Sequence, residues 1–160
     1  MSIIDRALTA RRSSRRVELK ESFQVDAQLI TDVAAIANSG GGAVVFRDGK
    51  VDAAAVAEKL RHYTDFVDLQ AVDRALIVGE AITPIVIDGV VYFRHGAKIN
   101  AFDLLAVRKV HDIDAKPEFS HKTLFGTRQY SARFLEWLLD RARGNPEFFL
   151  TARREYQQRR

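Results

Sequence analysis

Residues 17–46 read VELKESFQVDAQLITDVAAIANSGGGAVVF, and this stretch decides the fold. Its first four residues alternate between apolar and charged side chains. Because successive side chains of a strand point to opposite faces, the pattern predicts a strand with Val17 and Leu19 on the inner face and Glu18 and Lys20 on the other. The charged face of this strand is the first candidate site.

A helix follows in the same stretch. Asp26 is a suitable N-cap, and apolar side chains then recur at helical spacing until Asn38 and the glycines at 40–42 end the helix. Residues 43–46 form a short apolar run that predicts a buried strand. Strand, helix and strand in this order favour an α/β fold.

The flanking segments extend the same pattern. Residues 2–12 predict a short helix, Asp52 begins another that runs to about His62, and Asp88-Gly89 between apolar runs predicts a tight hairpin. Further strands are predicted at 67–72, 74–78, 84–87 and 90–94, and further helices from Asn100 or Asp103, at 130–142 and at 147–158. We therefore expect an α/β (α+β) protein with a mixed β-sheet flanked by helices and a C-terminal helical extension. The predicted division is a domain at 1–115 and an extension at 116–160 packed on the same domain.

Composition limits the class of protein. The chain has 160 residues, of which 47% are hydrophobic, which suffices for one sizeable core. It has no cysteine, so a disulfide framework and a thiolate metal site are excluded. The N-terminal apolar run is short and carries Asp5 and Arg6, which is unlike a signal peptide or a membrane span. We expect a cytoplasmic protein that does not contact a membrane.

Charge is unevenly distributed along the chain. Residues 1–20 hold six basic and two acidic side chains, and residues 128–160 hold eight and four, whereas residues 21–127 hold eleven and fifteen. Basic termini attract phosphate, because each neutralised phosphate releases condensed counterions. Terminal basic residues also keep a small domain soluble. Charge alone leaves both explanations open.

Three motifs carry a family resemblance: Val17-Glu-Leu-Lys-Glu21, Ile36-Ala-Asn-Ser-Gly-Gly41 and Val91-Tyr-Phe-Arg-His-Gly96. In this order and on these elements they resemble the E-x-K strand, the A-N-x-x-G-G turn and the Y-x-R-x-G strand of the Schlafen-type Alba-like domain. The resemblance covers residues 16–110 approximately. It implies a mixed sheet flanked by helices, and binding of DNA or RNA.

The motif positions and the basic N-terminal run supply the candidate nucleic-acid contacts. Gly40 and Gly41 either expose backbone N–H groups to a phosphate or end the helix, and Asn38 either contacts nucleic acid or caps that helix. Lys20 either contacts a phosphate or pairs with Glu18 or Glu21 across the sheet face. The full candidate set is Arg11, Arg12, Arg15, Arg16, Lys20, Asn38, Gly40, Gly41 and Arg94.

The first alternative is a metal-dependent ribonuclease, the activity of some members of this family. It would use Glu18 and Asp48 with Mg²⁺ or Mn²⁺; otherwise we expect no metal and no cofactor. The resemblance calls for another acidic residue about five positions before Glu18, where this chain has Ser13. Glu21 lies three residues after Glu18 and so points to the opposite face of an extended strand. We expect a binding protein rather than an enzyme.

The second alternative is an assembly module without affinity for nucleic acid. The C-terminal region is rich in large apolar side chains, namely Phe134, Leu135, Trp137, Leu138, Phe148, Phe149 and Leu150. We expect most of this surface to pack on the sheet and the remainder to support self-association, as a homodimer.

Overall fold

The computed structural model describes residues 2–64, 67–81, 84–122, 124, 126, 128–145 and 147–159. The helices are α1 (Ile3–Thr9), α2 (Ala27–Asn38), α3 (Ala53–Leu60), α4 (Leu104–Val110), α5 (Ala132–Gly144) and α6 (Phe148–Gln158). The strands are β1 (Val17–Lys20), β2 (Gly42–Phe46), β3 (Leu69–Val72), β4 (Ala75–Val78), β5 (Val86–Ile87), β6 (Val90–His95), β7 (Lys98–Asp103), β8 (Ser120–Lys122) and β9 (Arg128–Tyr130). They form two compact units: unit 1 is Met1–Ile87 with Tyr92–Ala101, and unit 2 is Asp88–Val91 with Phe102–Arg160.

Unit 1 contains a four-stranded sheet in the order β1-β2-β4-β3. β1 and β2 are parallel, with Glu18 opposite Val44, and α2 connects them. β4 runs antiparallel to both β2 and β3. The predicted mixed sheet flanked by helices is therefore confirmed.

Each face of this sheet carries its own core. On one face α2 packs Leu29 and Ile36 against Val44 and Leu76, all of them fully buried. On the other face Val17 and Val45 pack with Ala7 of α1, and Leu19 joins them as a partly buried neighbour. The predicted inner position of Val17 and Leu19 is confirmed.

The glycine turn after α2 is a Schellman motif. Gly41 N–H donates to Ile36 O at 2.9 Å, and Gly40 N–H donates to Ala37 O at 3.5 Å. Gly40 has φ of +102°, the left-handed conformation that this helix ending requires at the position after the C-cap, and Gly41 also has a positive φ of +86°. The carbonyl of Arg16 lies against Gly42 so closely that a Cβ there would collide with it. Glycine at 42 therefore lets β1 and β2 pair.

The Asp88-Gly89 hairpin has the predicted turn. Asp88 and Gly89 have φ of 51° and 82°, so both central positions are left-handed, as in a type I′ turn. β6 also pairs with β7, a strand that we did not predict. Asp103 ends β7 and caps α4, with its side chain accepting from the N–H of Leu105.

Unit 2 has an aromatic core of its own. Phe134 is fully buried, and its ring contacts those of Phe119, Tyr130 and Trp137. Phe149 stacks on Phe102, with ring centroids 4.2 Å apart. These C-terminal rings thus pack on residues of their own unit, in which α4 also packs with α6. The predicted division after residue 115, and the predicted packing of the C-terminal region on the sheet, stay predictions.

Leu135 lies on α5, but its side chain is outside what the structure describes, so its predicted packing stays a prediction. Within the described residues, no helix combines the length and the apolar character needed to cross a bilayer.

His111 makes the stability of unit 2 depend on pH. Its ring stacks on Phe148 and meets the edge of Trp137, each with centroids 5.4 Å away. Partial burial there, with Arg141, Lys116 and Arg159 nearby, lowers the pKa of His111 below its ordinary 6.5, although Glu155 acts in the opposite direction. The unfolded chain then binds the proton more readily than the folded one. Stability is therefore lost as the pH falls through 6.5.

We expect the urea midpoint of unit 2 to decrease between about pH 8 and pH 5, and to decrease less in His111→Gln. The fluorescence of Trp137, the single tryptophan, reports this unit directly. His121→Gln is the matched control, because His121 is exposed. Equal pH dependence in wild type and His111→Gln would contradict the prediction.

Candidate nucleic-acid interface

The arginine loop, residues 10–16, is held along the free edge of β1. Ser14 N–H donates to Val17 O at 2.7 Å, and Val17 N–H donates back to Ser14 Oγ at 3.3 Å. Ser13 Oγ accepts from Leu19 N–H at 3.0 Å. The loop thus has a defined backbone, while Arg11, Arg12, Arg15 and Arg16 are all exposed.

Arg94 of β6 supports the loop from inside unit 1. Its side chain is fully buried, with Nε donating to Arg15 O at 2.9 Å and Nη2 donating to Ser14 O. Nη1 lies 3.0 Å from Glu18 Oε2 as an ion pair, without the alignment of a hydrogen bond. The Arg94 N–H donates to Ser39 Oγ at 2.8 Å. Arg94 therefore orders the loop and is enclosed by unit 1.

Two arginines of the loop lie at the end of α2. Arg15 Nη2 donates to Ser39 O at 3.4 Å, and Arg16 Nε donates to Gly41 O at 3.3 Å. The C-terminus of a helix carries partial negative charge, which favours cations there. Both bonds are long and use one donor of each guanidinium, so, as far as the described residues go, the remaining donors are free to bind an anion.

Lys20 has a different partner from those predicted. Its Nζ lies 2.8 Å from Asp32 Oδ2 on α2, whereas the predicted alternatives were a phosphate, Glu18 or Glu21. Asp32 is almost completely buried, and its other oxygen accepts from Gln28 Nε2 at 3.1 Å. A buried carboxylate attracts the nearest ammonium, which here projects from the same strand face as Glu18. Lys20 thus neutralises an internal acid.

Three further predicted contacts lie inside unit 1. Asn38 is fully buried, and its side-chain amide bridges backbone groups of Ile85 and Tyr92. It does not cap α2, because Ser39 is the C-cap. Gly41 is buried as well, and the N–H groups of Gly40 and Gly41 serve the Schellman motif. The hydrogen-bonding groups of these residues, like those of Arg94, thus have partners within unit 1.

The two predicted catalytic carboxylates lie apart. Glu18 pairs with Arg94, and Asp48 accepts the N–H groups of Phe23 and Lys50, which hold the pKa of Asp48 below its usual value. Asp48 lies in the turn after β2, four positions beyond Val44, the strand partner of Glu18. Among the described residues, no three His, Cys, Asp or Glu side chains form a group suited to a metal ion. The geometry does not favour the nuclease alternative.

Sequence analysis missed two arginines beside the loop. Arg47 follows β2 and Arg74 precedes β4, and both line a cleft with Arg11 on the α1 face of the sheet. Each stands alone in its own segment, so neither forms a basic run that the sequence could reveal. Together with the loop they extend the exposed arginine surface of unit 1.

Comparison of the chain with protein families, curated proteins and solved structures found no match. The resemblance to the Schlafen-type Alba-like domain therefore stays a prediction from the three motifs.

Proposed function

We propose that the arginine loop of unit 1 binds the phosphates of DNA or RNA, with little sequence preference. This proposal rests on one observation, the defined backbone conformation of that loop. Four exposed guanidiniums project from a segment that Ser13, Ser14 and the buried Arg94 hold in place. Ordering the loop before binding reduces the entropy lost on binding.

The chemistry of the loop favours phosphate. Guanidinium forks match phosphate oxygens in two-pronged hydrogen bonds, and phosphate contacts carry no sequence information. Glu18, the acidic residue nearest in sequence, is paired with Arg94 and so does not repel a bound phosphate strongly. The motif order that resembles the Schlafen-type Alba-like domain supports the same proposal.

The test is fluorescence anisotropy of labelled single- and double-stranded DNA and RNA over a range of salt concentrations. Replacing Arg11, Arg12, Arg15 and Arg16 with alanine together should weaken binding about 100-fold at low salt. The slope of log K against log salt should become shallower by about 0.7–0.9 for each phosphate that the variant no longer neutralises.

A matched control removes four exposed cations elsewhere, namely Lys59, Arg61, Arg153 and Arg154. It changes the net charge equally, and we expect it to weaken binding less than about threefold. Equal losses in the two variants would show that net charge, and not the loop, determines affinity. A wild type that binds none of the four probes would refute the proposal and favour the assembly alternative.

A further inference from the structure

A second candidate site lies beside the arginine loop, within unit 1. It is a cleft of about 380 Å³, large enough for one small organic ligand. It is formed by α1 and the arginine loop, by strands β1 and β2 with Arg47 after β2, and by Arg74 before β4. The lining residues are Ala7, Ala10, Arg11, Leu19, Val45, Arg47 and Arg74.

The polar part of the lining is entirely cationic. Arg74 Nη2 donates to Leu8 O at 2.9 Å, which fixes the guanidinium and leaves its other donors. Arg47 pairs with Glu21 at 3.1 Å, but both side chains are about 70% exposed or more, so this pair is weak. Arg11 has no polar partner in the described part of the chain. Three guanidiniums at one cleft favour an anion with several oxygens.

The remaining part of the lining is apolar. Ala7 and Val45 are buried core residues, and Ala10 and Leu19 pack against the same core. Inorganic phosphate would contact the arginines and leave the accessible apolar surface of Ala10 and Leu19 uncovered. A flat apolar group attached to the anion would cover them, and this coverage contributes to affinity. The lining is therefore suited to a ligand that combines phosphate with an aromatic ring.

We propose that this cleft binds one nucleotide, with its phosphate on Arg11, Arg47 and Arg74 and its base against Ala10 and Leu19. A free mononucleotide and the phosphorylated end of a strand present the same chemistry. The inference goes beyond the proposed function, because the loop can bind a strand without the cleft.

Isothermal titration calorimetry with adenosine monophosphate tests the inference. We expect saturable binding of the mononucleotide, and binding at least about tenfold weaker for adenosine and for inorganic phosphate. Arg47→Ala should weaken mononucleotide binding about tenfold, as should Ala10→Phe, which fills the cleft without changing charge. Arg61→Ala, at an exposed arginine that belongs neither to the cleft nor to the arginine loop, should change it less than about twofold.

Two further probes separate the sources of the ligand and the two proposals. A short oligonucleotide with a phosphorylated end should compete with the mononucleotide more strongly than its unphosphorylated form if a strand end is the natural ligand; equal competition points to the free nucleotide. Replacing Arg12, Arg15 and Arg16 with alanine should impair strand binding but leave mononucleotide binding intact. Absence of mononucleotide binding, or binding that neither Arg47→Ala nor Ala10→Phe weakens, would overturn the inference whatever the loop does.

Discussion

Replacing Arg94 with methionine is expected to destabilise unit 1 by about 3–5 kcal/mol, because the change leaves one member of a buried ion pair without its partner. Glu18 would then be a carboxylate with only 21% of its side chain exposed and without its ion-pair partner. The carbonyls of Ser14 and Arg15 would also lose their donors. Methionine fills similar space, so the loss is that of the charge and the hydrogen bonds.

Hydrogen exchange of peptides from α2 and β2, followed by mass spectrometry in increasing urea, measures this stability within unit 1. Glu18→Met combined with Arg94→Met should be less destabilised than Arg94→Met alone, because no unpaired charge remains. Arg94→Lys keeps the charge but not the planar fork, and should lie between wild type and Arg94→Met. If the free energy of unfolding of Arg94→Met were within about 1 kcal/mol of the wild-type value, the structural role of this residue would be contradicted.

Asn38→Ala is the second change with a large expected effect. The side chain of Asn38 donates to Ile85 O and Tyr92 O at 3.1 and 3.0 Å, and accepts from Ile85 N–H at 2.7 Å. Alanine leaves these buried groups unsatisfied, at about 1–3 kcal/mol for each. We expect unit 1 to lose about 3–5 kcal/mol in the same exchange experiment, with the increase in exchange greatest around residues 84–92.

Ser39→Ala is the matched control for this prediction. Ser39 is the next residue along the chain, and its hydroxyl accepts a single backbone bond, from Arg94 N–H. Its loss should lower stability by about 1 kcal/mol. If Asn38→Ala and Ser39→Ala were equally stable, water or a shifted backbone would have to satisfy the groups around Ile85, and the proposed bridge would be refuted.

The local rules predicted unit 1 well. Alternation in β1 placed Val17 and Leu19 on the α1 face, and Glu18 and Lys20 on the opposite face, as the structure has them. The N-cap at Asp26 was also found. These features follow from strand and helix geometry over a few residues, so a single sequence contains enough information to predict them.

The partners of the charged face could not be predicted in the same way. Glu18 and Arg94 are far apart in the chain, and periodicity says nothing about which strand lies beside another. Asp32 gave a signal that we did not use. It lies three residues after Leu29 and four before Ile36, on the apolar face of α2, and a carboxylate buried there needs a cation nearby, here Lys20.

Two further features could not be predicted from the sequence: the short strands β8 and β9 of unit 2, and the cleft of unit 1. β8 and β9 are each three residues long, in a segment where the sequence predicted no strand. Strands this short contain too few positions for alternation to be recognised. The cleft brings together Arg11, Arg47 and Arg74 from three segments, and only the tertiary fold makes them neighbours.

The hydrogen bonds of Ser13 and Ser14 have a consequence for association with other chains. They occupy the N–H groups of Val17 and Leu19 and the carbonyl of Val17, which would otherwise face outwards from β1. An incoming extended peptide therefore finds no free row of donors and acceptors on this side, and cannot lengthen the sheet here without first displacing the serines. The same residues that present the arginines thus also protect β1 from β-augmentation and from edge-to-edge aggregation.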